Sequence, residues 1–311
     1  MPSKSARPRR IFGPVPSRRL GYSLGVDALP FKTCDLDCLY CQLGRTTVKT
    51  LKRKAYVSAE EILKELASVL KDARGLDFIS FSGSGEPTLN TELGAMIRGA
   101  KKLSKVPVAV ITNGTLLWHP DVAGDLMAAD AVLPSLDAAS PEAFKKLDRP
   151  VPGLSVETII DGLVEFRKRY KGKLWLEVML IKGVNDSASE LRRLSACVKR
   201  IRPDRVDINI PVRPSDERVL PPSPAVLSRA KALFGPKAVI IISKTKAPRP
   251  EARATEARVE EMVMRRPVTA ADISASLGLH PNEAAKLLGA LLQKSRIRAV
   301  RRSGRVFFRR S

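Results

Sequence analysis

Short apolar runs alternate with longer amphipathic stretches along most of this chain. The clearest amphipathic stretch covers residues 58–71, where Ser58 suits the N-cap, Glu61 follows three residues later and the apolar residues form one stripe. The same reasoning predicts helices over 92–103, 156–171, 187–201 and 224–234, and strands over 22–28, 77–82, 107–112, 131–136, 173–181, 205–210 and 238–243. Strands that alternate with helices are typically parallel and joined by right-handed crossovers. We therefore expect an α/β fold, a complete or partial β/α barrel of about six parallel strands, with its chemistry at the carboxyl ends of the strands.

The last 60 or so residues follow a different pattern. A stretch rich in Lys, Ala, Pro and Arg over 246–254 predicts a linker. Helices are predicted over 255–265, 269–277 and 281–294, and strands over 297–300 and 305–308 around a Ser-Gly turn. Three helices followed by a two-stranded wing is the element order of a winged helix-turn-helix, whose third helix usually reads nucleic acid. We expect a barrel domain over 1–248 and a winged-helix domain over 249–311, which binds nucleic acid or docks a protein.

Charge and composition narrow the class of protein. The 311 residues include 55 Lys and Arg against 32 Asp and Glu, a net charge of +23, which favours polyanionic partners unless it reflects a general bias in the source proteome. The cations concentrate at both ends, with six in the first 20 residues and eight in the last 18, and no acid in either stretch. A hydrophobic share of 44% excludes a disordered chain, and no apolar run reaches the length of a membrane span. Without a secretory signal, we expect a cytoplasmic protein with no membrane contact and with reduced thiols.

Three cysteines follow the first predicted strand with the spacing C-x3-C-x2-C, at Cys34, Cys38 and Cys41. A four-iron cubane usually takes four thiolates, so three would leave one iron open to an exchangeable ligand. A structural zinc site needs a fourth nearby ligand. The remaining cysteine, Cys197, lies in a predicted helix, and the two histidines are distant in sequence. We therefore favour an iron–sulfur cluster over zinc or idle thiols.

Together with Tyr40, which precedes the last of these cysteines, the motif resembles that of the radical SAM superfamily. The resemblance implies a [4Fe-4S] cluster whose open iron is chelated by the amino and carboxylate groups of S-adenosylmethionine. It also implies reductive cleavage of that molecule to a 5′-deoxyadenosyl radical, which abstracts a hydrogen atom from the substrate. A flavodoxin- or ferredoxin-like electron donor would supply the electron.

Further segments at the predicted strand ends resemble this superfamily. In residues 82–88 the glycines Gly83 and Gly85 would let the backbone approach the ligand, and Glu86 would accept a hydrogen bond from its ammonium group. Residues 112–114 and 135–137 resemble segments near the sugar and methionine portions, and 183–186 resembles the adenine end, unless Asn185 or Asp186 caps the next helix. The resemblance thus implies cluster ligands Cys34, Cys38 and Cys41, and cofactor-binding residues Tyr40, Gly83, Gly85, Glu86, Asn113, Ser135, Asp137, Val184 and Asn185, while the residues that act on the substrate stay unassigned.

Residues 12–21 and 207–214 resemble a radical SAM group classed with wyosine-type tRNA synthases. Arg18, Arg19 and Arg213 in these segments suit an anionic substrate, unless they are surface cations, and Glu177 is either a site carboxylate or an outward charge. Wyosine-type enzymes and molybdenum-cofactor synthases carry a second set of cysteines that this chain lacks, which argues against a pyruvate-condensing reaction. Modification of RNA is our first hypothesis. The alternatives are a maturase or activase acting on a protein or small molecule, and a DNA-binding regulator that senses redox state.

Overall fold

The computed structural model describes residues 9–241, 255–302 and 304–311. The predicted linker, the 248/249 boundary, the end of the last predicted barrel strand and the cations Lys4 and Arg7 lie outside these residues. Within the described ranges, no helix has the length and apolar character needed to cross a bilayer.

Twelve strands and ten α-helices make up the described chain. The strands are β1 (Ile11–Ser17), β2 (Gly21–Val26), β3 (Thr33–Cys34), β4 (Val48–Lys49), β5 (Phe78–Phe81), β6 (Val108–Thr112), β7 (Ala131–Pro134), β8 (Lys173–Met179), β9 (Arg205–Asn209), β10 (Ala238–Ile240), β11 (Ile297–Arg302) and β12 (Arg305–Arg310). The helices are α1 (Ala59–Leu70), α2 (Leu93–Leu103), α3 (Pro120–Leu126), α4 (Pro141–Leu147), α5 (Val156–Arg169), α6 (Ala188–Ile201), α7 (Pro224–Phe234), α8 (Glu256–Arg265), α9 (Ala270–Leu277) and α10 (Pro281–Gln293).

The central sheet has eight strands in the order β1-β2-β5-β6-β7-β8-β9-β10. Every neighbouring pair from β2 to β10 is parallel, so the sheet contains seven parallel strands where the sequence predicted about six. Because strand order follows chain order, the loops at the carboxyl ends of consecutive strands lie side by side. The α/β fold predicted from the sequence is confirmed, in the form of an open, mostly parallel sheet.

The sequence did not predict the antiparallel edge strand β1, which pairs with β2. Its seven residues include Gly13, Pro14 and Pro16, and the register shifts between Phe12 and Val15. Proline cannot donate a ladder hydrogen bond, so it is tolerated at the edge of a sheet but obscures the strand pattern in the sequence.

Three helices and an antiparallel pair of strands form the C-terminal segment 255–311 in the predicted order. This segment has its own cluster of buried apolar residues, separate from that of the large sheet, and an antiparallel bridge joins Val268 to Phe308 of β12. The segment also contacts the sheet-bearing part. Arg213 Nε donates to the carbonyl of Pro267 at 3.1 Å, and Arg309 pairs with Asp216 at 2.9 Å.

Candidate functional site

The three motif cysteines lie in the loop between β2 and α1, which is fixed to the end of α4. The backbone NH groups of Asp37 and Leu39 donate to the carbonyls of Asp148 and Leu147, both at 2.9 Å. The short parallel pair of β3 and β4 closes the other side of the loop. These contacts hold the cysteine loop over the carboxyl end of the sheet.

Cys34, Cys38 and Cys41 are each half-buried and free of disulfide bonds, and their thiols lie near enough for their charges to act on one another. Burial raises the pKa of the Cys34 and Cys38 thiols well above the ordinary value. The nearby carboxylates of Asp35 and Asp148 respectively raise it further, and charge on the neighbouring cysteines of the motif adds to this. Lys32 is buried beside them and places its Nζ 3.0 Å from the Sγ of Cys41, where a cation would stabilise a thiolate.

A cubane and a single metal ion make different demands on these thiols. Among the described residues, no three Cys, His, Asp or Glu side chains are placed to hold one ion. A four-iron cluster does not need such a group, because its thiolates bind separate irons. Three neighbouring thiols next to a lysine ammonium fit the donor set of a three-cysteine cluster.

A small cavity of about 20 Å³, which has room for about one water molecule, lies beside the cysteine loop. Four of the nine expected cofactor-binding residues line it, and they come from the loop itself and from the ends of β6 and β7. The four are Tyr40, Asn113, Ser135 and Asp137, and the apolar side chains of Leu36, Phe144, Val156 and Ile159 complete the walls. Apolar walls with a few convergent polar groups are typical of cofactor sites.

Glu86 cross-links the ends of β5 and β6 from a buried position. Its Oε1 accepts hydrogen bonds from Thr88 and, at 2.6 Å, from the hydroxyl of Thr112, and its Oε2 accepts from the backbone NH of Asn113 at 2.6 Å. Burial, and then the charge of Asp35, raise the pKa of Glu86 to about 7. Glu86 is only 2% exposed, and its hydrogen bonds within the protein position the ends of the two strands. The expected contact with a ligand ammonium group stays a prediction.

Asn113 connects that network to the cluster loop. Its Nδ2 donates to Asp35 Oδ1 at 2.5 Å and lies 3.8 Å from the Sγ of Cys34, while its Oδ1 accepts from the backbone NH of Thr115 at 3.1 Å. The hydroxyl of Thr115 donates to the other oxygen of Asp35. Asp35 is fully buried, so this carboxylate fixes the first cysteine relative to the end of β6.

Tyr40 and Asp137 form the corresponding link to β7 and β8. The hydroxyl of Tyr40 donates to Asp137 Oδ2, and the backbone NH of Met179 donates to Oδ1 at 2.7 Å. Burial raises the pKa of Asp137 to about 7. The loop that carries the cysteines is thus bonded to the wall of the cavity through one tyrosine–carboxylate contact.

The two glycines of 82–88 approach protein atoms very closely. A Cβ on Gly85 would lie 1.9 Å from the carbonyl oxygen of Thr33, and one on Gly83, at φ +150°, would lie 2.6 Å from the Asp27 carboxyl carbon. Asp27 in turn accepts from the backbone NH and the hydroxyl of Ser84, and it pairs with Arg265 of α8. Small residues are therefore required at these two positions because the turn packs closely against the cysteine loop and the end of β2.

The segment after β8 differs in part from expectation. Asn185 is fully buried; its Nδ2 donates to the carbonyls of Asp137 and Met179, both at 2.7 Å, and its Oδ1 accepts from Ile181 at 2.8 Å. Its amide thus shapes the loop around the Asp137 wall. Val184 packs in a small apolar cluster with Tyr40 and five other side chains. The capping alternative for Asn185 or Asp186 is wrong, because the N-cap of α6 is Ser187, whose hydroxyl accepts from the backbone NH three residues on.

The structure settles the orientation of Glu177 and of the arginines. Glu177 is 6% exposed and pairs with Arg19, so it is not an outward charge. Arg18, Arg19 and Arg213 are half-buried and close to one another, so they are not ordinary surface cations either.

Sequence reasoning missed Lys32, Asp35 and Asp148. The carboxylate of Asp148, which is buried at the end of α4, raises the pKa of the Cys38 thiol through its charge. Lys32 and Asp35 flank the first cysteine, but their roles depend on contacts with Cys41 and Asn113. No local sequence pattern identifies these three residues. Only the structure reveals them, because it shows charged side chains buried beside the cysteine motif.

Comparison with known proteins agrees with this geometry. Residues 29–194 match the family model of the radical SAM superfamily. The chain is 34% identical over 294 residues to a UPF0026 protein of Helicobacter pylori strain J99, covering 92% of this chain and 93% of that protein. It is 37% identical over 295 residues to a Brachyspira hyodysenteriae protein named GTPase Obg, covering 93% of this chain but only 43% of that protein.

Among solved structures, a radical SAM methyltransferase from Sphaerobacter thermophilus superposes with a TM-score of 0.52 at 19% identity, covering 70% of this chain and 65% of that one. This likeness establishes a shared fold. The family match covers the cysteine loop, the carboxylates of Glu86 and Asp137, and the carboxyl ends of β5 to β8. The chain belongs to the radical SAM superfamily, whose enzymes use a [4Fe-4S] cluster and S-adenosylmethionine.

Proposed function

We propose that Cys34, Cys38 and Cys41 hold the cluster and that S-adenosylmethionine binds between the cysteine loop and the strand ends that line the adjoining cavity, which widens to admit it. The observation that carries this proposal is the neighbourhood of three thiols and a cavity lined by Tyr40 and Asp137. When bound, the reduced cluster and S-adenosylmethionine supply a 5′-deoxyadenosyl radical that abstracts a hydrogen atom from the substrate.

The chain's own residues have three tasks in this scheme. Lys32 holds positive charge against Cys41, which favours the thiolate. Glu86 and Asp137 fix the strand ends that form the cavity wall. The apolar side chains around the cavity exclude water, which protects a reactive intermediate from side reactions.

Anaerobic reconstitution tests this proposal. We expect the native chain to bind about four irons and to form 5′-deoxyadenosine from S-adenosylmethionine with a chemical reductant. A variant with Cys34, Cys38 and Cys41 all replaced by Ala should lose both properties. Cys197→Ala is the matched control, because Cys197 is buried in α6 and belongs to the apolar core. Equal iron content in the triple variant and the control would refute the assignment.

We further propose that residues 249–311 form a winged-helix domain beside a 1–248 barrel domain, and that the substrate is RNA. The order of three helices and an antiparallel hairpin supports the first point. The wing supports the second: the side chains of Arg298, Arg301 and Arg305 are exposed and make no hydrogen bond or ion pair within the described residues. Helix α10, by contrast, exposes Lys286 beside Glu283, so the cationic surface lies on the wing and not on the third helix.

The wing also lies near the cluster loop. Arg310 packs over the ring of Phe31, the residue before Lys32, and Arg302 donates to the carbonyl of Val219. A polyanion held by the wing would therefore reach the rim of the site. The segments that resemble the wyosine-type group agree with an RNA substrate, and an oxygen-sensitive cluster with an external flavodoxin- or ferredoxin-like donor agrees with a place in the cytoplasm.

Salt-dependent binding distinguishes the substrate classes. RNA affinity should fall as salt rises, and replacing Arg298, Arg301 and Arg305 with Gln should reduce the slope of log affinity against log salt by about 2. Three exposed arginines on the outer helices, at 169, 192 and 229, provide a matched triple control. If RNA affinity is the same in both triple variants, the RNA proposal is wrong. Capture of one protein partner would then favour a maturase, and tight sequence-specific DNA binding without 5′-deoxyadenosine formation would favour a regulator.

A further inference from the structure

Four arginines from three separate parts of the chain meet near the carboxyl ends of β8 and β9. Arg18 and Arg19 lie in the turn between β1 and β2, Arg213 follows β9, and Arg266 is the C-cap residue of α8. Burial and then the charges of Arg19 and Arg213 lower the pKa of Arg18 to about 10. Burial and then the charge of Arg266 lower the pKa of Arg213 to about 10. The guanidinium groups are therefore close enough to repel one another.

The acids around these cations only partly compensate them. Glu177 pairs with Arg19, and Asp272 acts on Arg18, Arg213 and Arg266 while its Oδ2 accepts from the backbone of Thr269 at 2.9 Å. With the neighbouring pair of Arg205 and Asp207 included, five guanidinium groups face three carboxylates, an excess of two positive charges. Unpaired buried cations are costly, so a cluster of this kind is expected to take an anion.

Several buried polar atoms in and beside this arginine cluster have no partner in the described part of the chain. They include Arg18 Nη1 and Arg19 Nε as donors, and Asp207 Oδ1 and Asn209 Oδ1 as acceptors. Asp207 lies directly opposite Glu177 in the β8–β9 register, and Asn209 lies opposite Met179. Buried donors and acceptors are rarely left unsatisfied, so each is a place where a ligand atom would gain a hydrogen bond.

The arginine cluster adjoins the cavity beside the cysteine loop through the backbone of β8. Ser135, which lines that cavity, forms a parallel bridge with Glu177, and the backbone NH of Leu136 donates to the Glu177 carbonyl at 2.9 Å. A group bound by the arginines is therefore one strand away from the cavity at which we propose that S-adenosylmethionine binds.

We propose that Arg18, Arg19, Arg213 and Arg266 bind a phosphate group of the substrate, and that Asp207 and Asn209 accept hydrogen bonds from its hydroxyl or amino groups. The proposal rests on the proposed function, because it identifies the ligand as the substrate. An excess of two charges matches a phosphate dianion or two adjacent phosphodiesters better than one carboxylate, and forked guanidinium groups suit phosphate oxygens. A ribonucleotide unit, with phosphate, hydroxyl and amino groups, meets all these features.

Binding of inorganic phosphate, uridine 5′-monophosphate and uridine to the full chain, loaded with cluster and S-adenosylmethionine, tests the site. Phosphate and the monophosphate should bind, uridine should bind much more weakly, and Arg18→Gln should weaken both phosphate ligands about ten- to hundredfold. Arg192→Gln, an exposed arginine on α6, should leave both unchanged. An RNA oligonucleotide with and without a 5′-phosphate separates a terminal phosphate from internal phosphodiesters, and either source supports the site.

Stability in phosphate-free buffer separates a ligand site from a structural role. Because Arg18 is repelled by Arg19 and Arg213, Arg18→Gln should melt at or above the temperature of the native chain, and added phosphate should raise the melting temperature of the native chain alone. A marked loss of stability in Arg18→Gln, or equal phosphate affinity in Arg18→Gln and Arg192→Gln, would overturn the proposal. Formation of 5′-deoxyadenosine without substrate is measured on the same preparations. If the native chain forms no 5′-deoxyadenosine, the proposed function is refuted, whereas the phosphate affinities still decide whether the arginines bind phosphate.

Discussion

Replacing Gly85 with Ala should disrupt the packing between the turn after β5 and the cysteine loop. The new Cβ would lie 1.9 Å from the carbonyl oxygen of Thr33, whereas ordinary van der Waals contact begins at 3.4 Å. The clashing atom belongs to the backbone, and backbone hydrogen bonds hold this segment in place. The NH of Glu86 donates to the carbonyl of Thr33 at 3.1 Å, and the NH of Lys32 donates to the carbonyl of Ser84 at 2.6 Å. Overpacking costs about 1–3 kcal/mol and the loss of one of these hydrogen bonds about 1 kcal/mol, so the free energy of unfolding should fall by about 2–4 kcal/mol.

Because Thr33 precedes Cys34, the same shift should reduce the iron bound after reconstitution. Chemical denaturation of the cluster-free chain measures the first effect, and iron analysis measures the second. Gly124→Ala is the matched control, since nothing lies within 4 Å of a Cβ at this position in α3. Alanine should stabilise that helix by about 0.5–1 kcal/mol. A Gly85→Ala chain as stable and as iron-rich as the Gly124→Ala chain would refute the close approach of the turn to the cysteine loop.

Three further substitutions test the buried network. Tyr40→Phe removes the hydroxyl donor to Asp137 and should lower the free energy of unfolding by about 1–3 kcal/mol, measured by denaturation, while a smaller loss would mean that water replaces the hydroxyl. Asn185→Ala removes three buried hydrogen bonds and should cost about 2–4 kcal/mol, and an effect under 1 kcal/mol would contradict the observed bonding. Burial raises the pKa of Glu86 from 4.5 to about 7, so its protonated form favours folding below pH 4.5 and that contribution is lost as the pH rises through 7. The free energy of unfolding of the native chain and of Glu86→Gln is therefore measured at pH 5 and at pH 8. The variant should gain stability relative to the native chain between pH 5 and pH 8. An equal difference between the two chains at both pH values would contradict the raised pKa.

Most of the large sheet could be predicted because its strands are buried and its helices amphipathic. The spans of α1 and α7 agree with the periodicity of their apolar residues. By contrast, β1 was not predicted, because its glycine and prolines break the strand pattern. Helices α3 and α4 were missed for another reason: each has only seven residues, about two turns, which is too short for a periodic signal to emerge.

The site divides in the same way between local and long-range information. Cysteine spacing is local, and the polar segments could be placed because each follows a strand. The partners of those segments could not, since Asn113 meets Asp35 across 78 residues of sequence and Arg19 meets Glu177 across 158. Asn185 illustrates the difference well. Its neighbours in sequence left open whether it contacts ligand or caps a helix, and only the fold reveals that its amide binds the Asp137 and Met179 carbonyls.

These long-range contacts separate charge within a strongly basic protein. Carboxylates join successive strand ends around the cofactor cavity: Asp27 binds the turn after β5, Glu86 joins β5 to β6, and Asp137 joins β7 to β8. Arginines instead gather beyond β8, where they outnumber the neighbouring carboxylates Glu177, Asp272 and Asp207. S-adenosylmethionine carries a sulfonium and an ammonium group, so it is matched by the acidic side, whereas a phosphate is matched by the basic side. The separation of charge would thus direct S-adenosylmethionine to the acidic side and a phosphate to the adjacent basic side, so that the two ligands would not compete for one position.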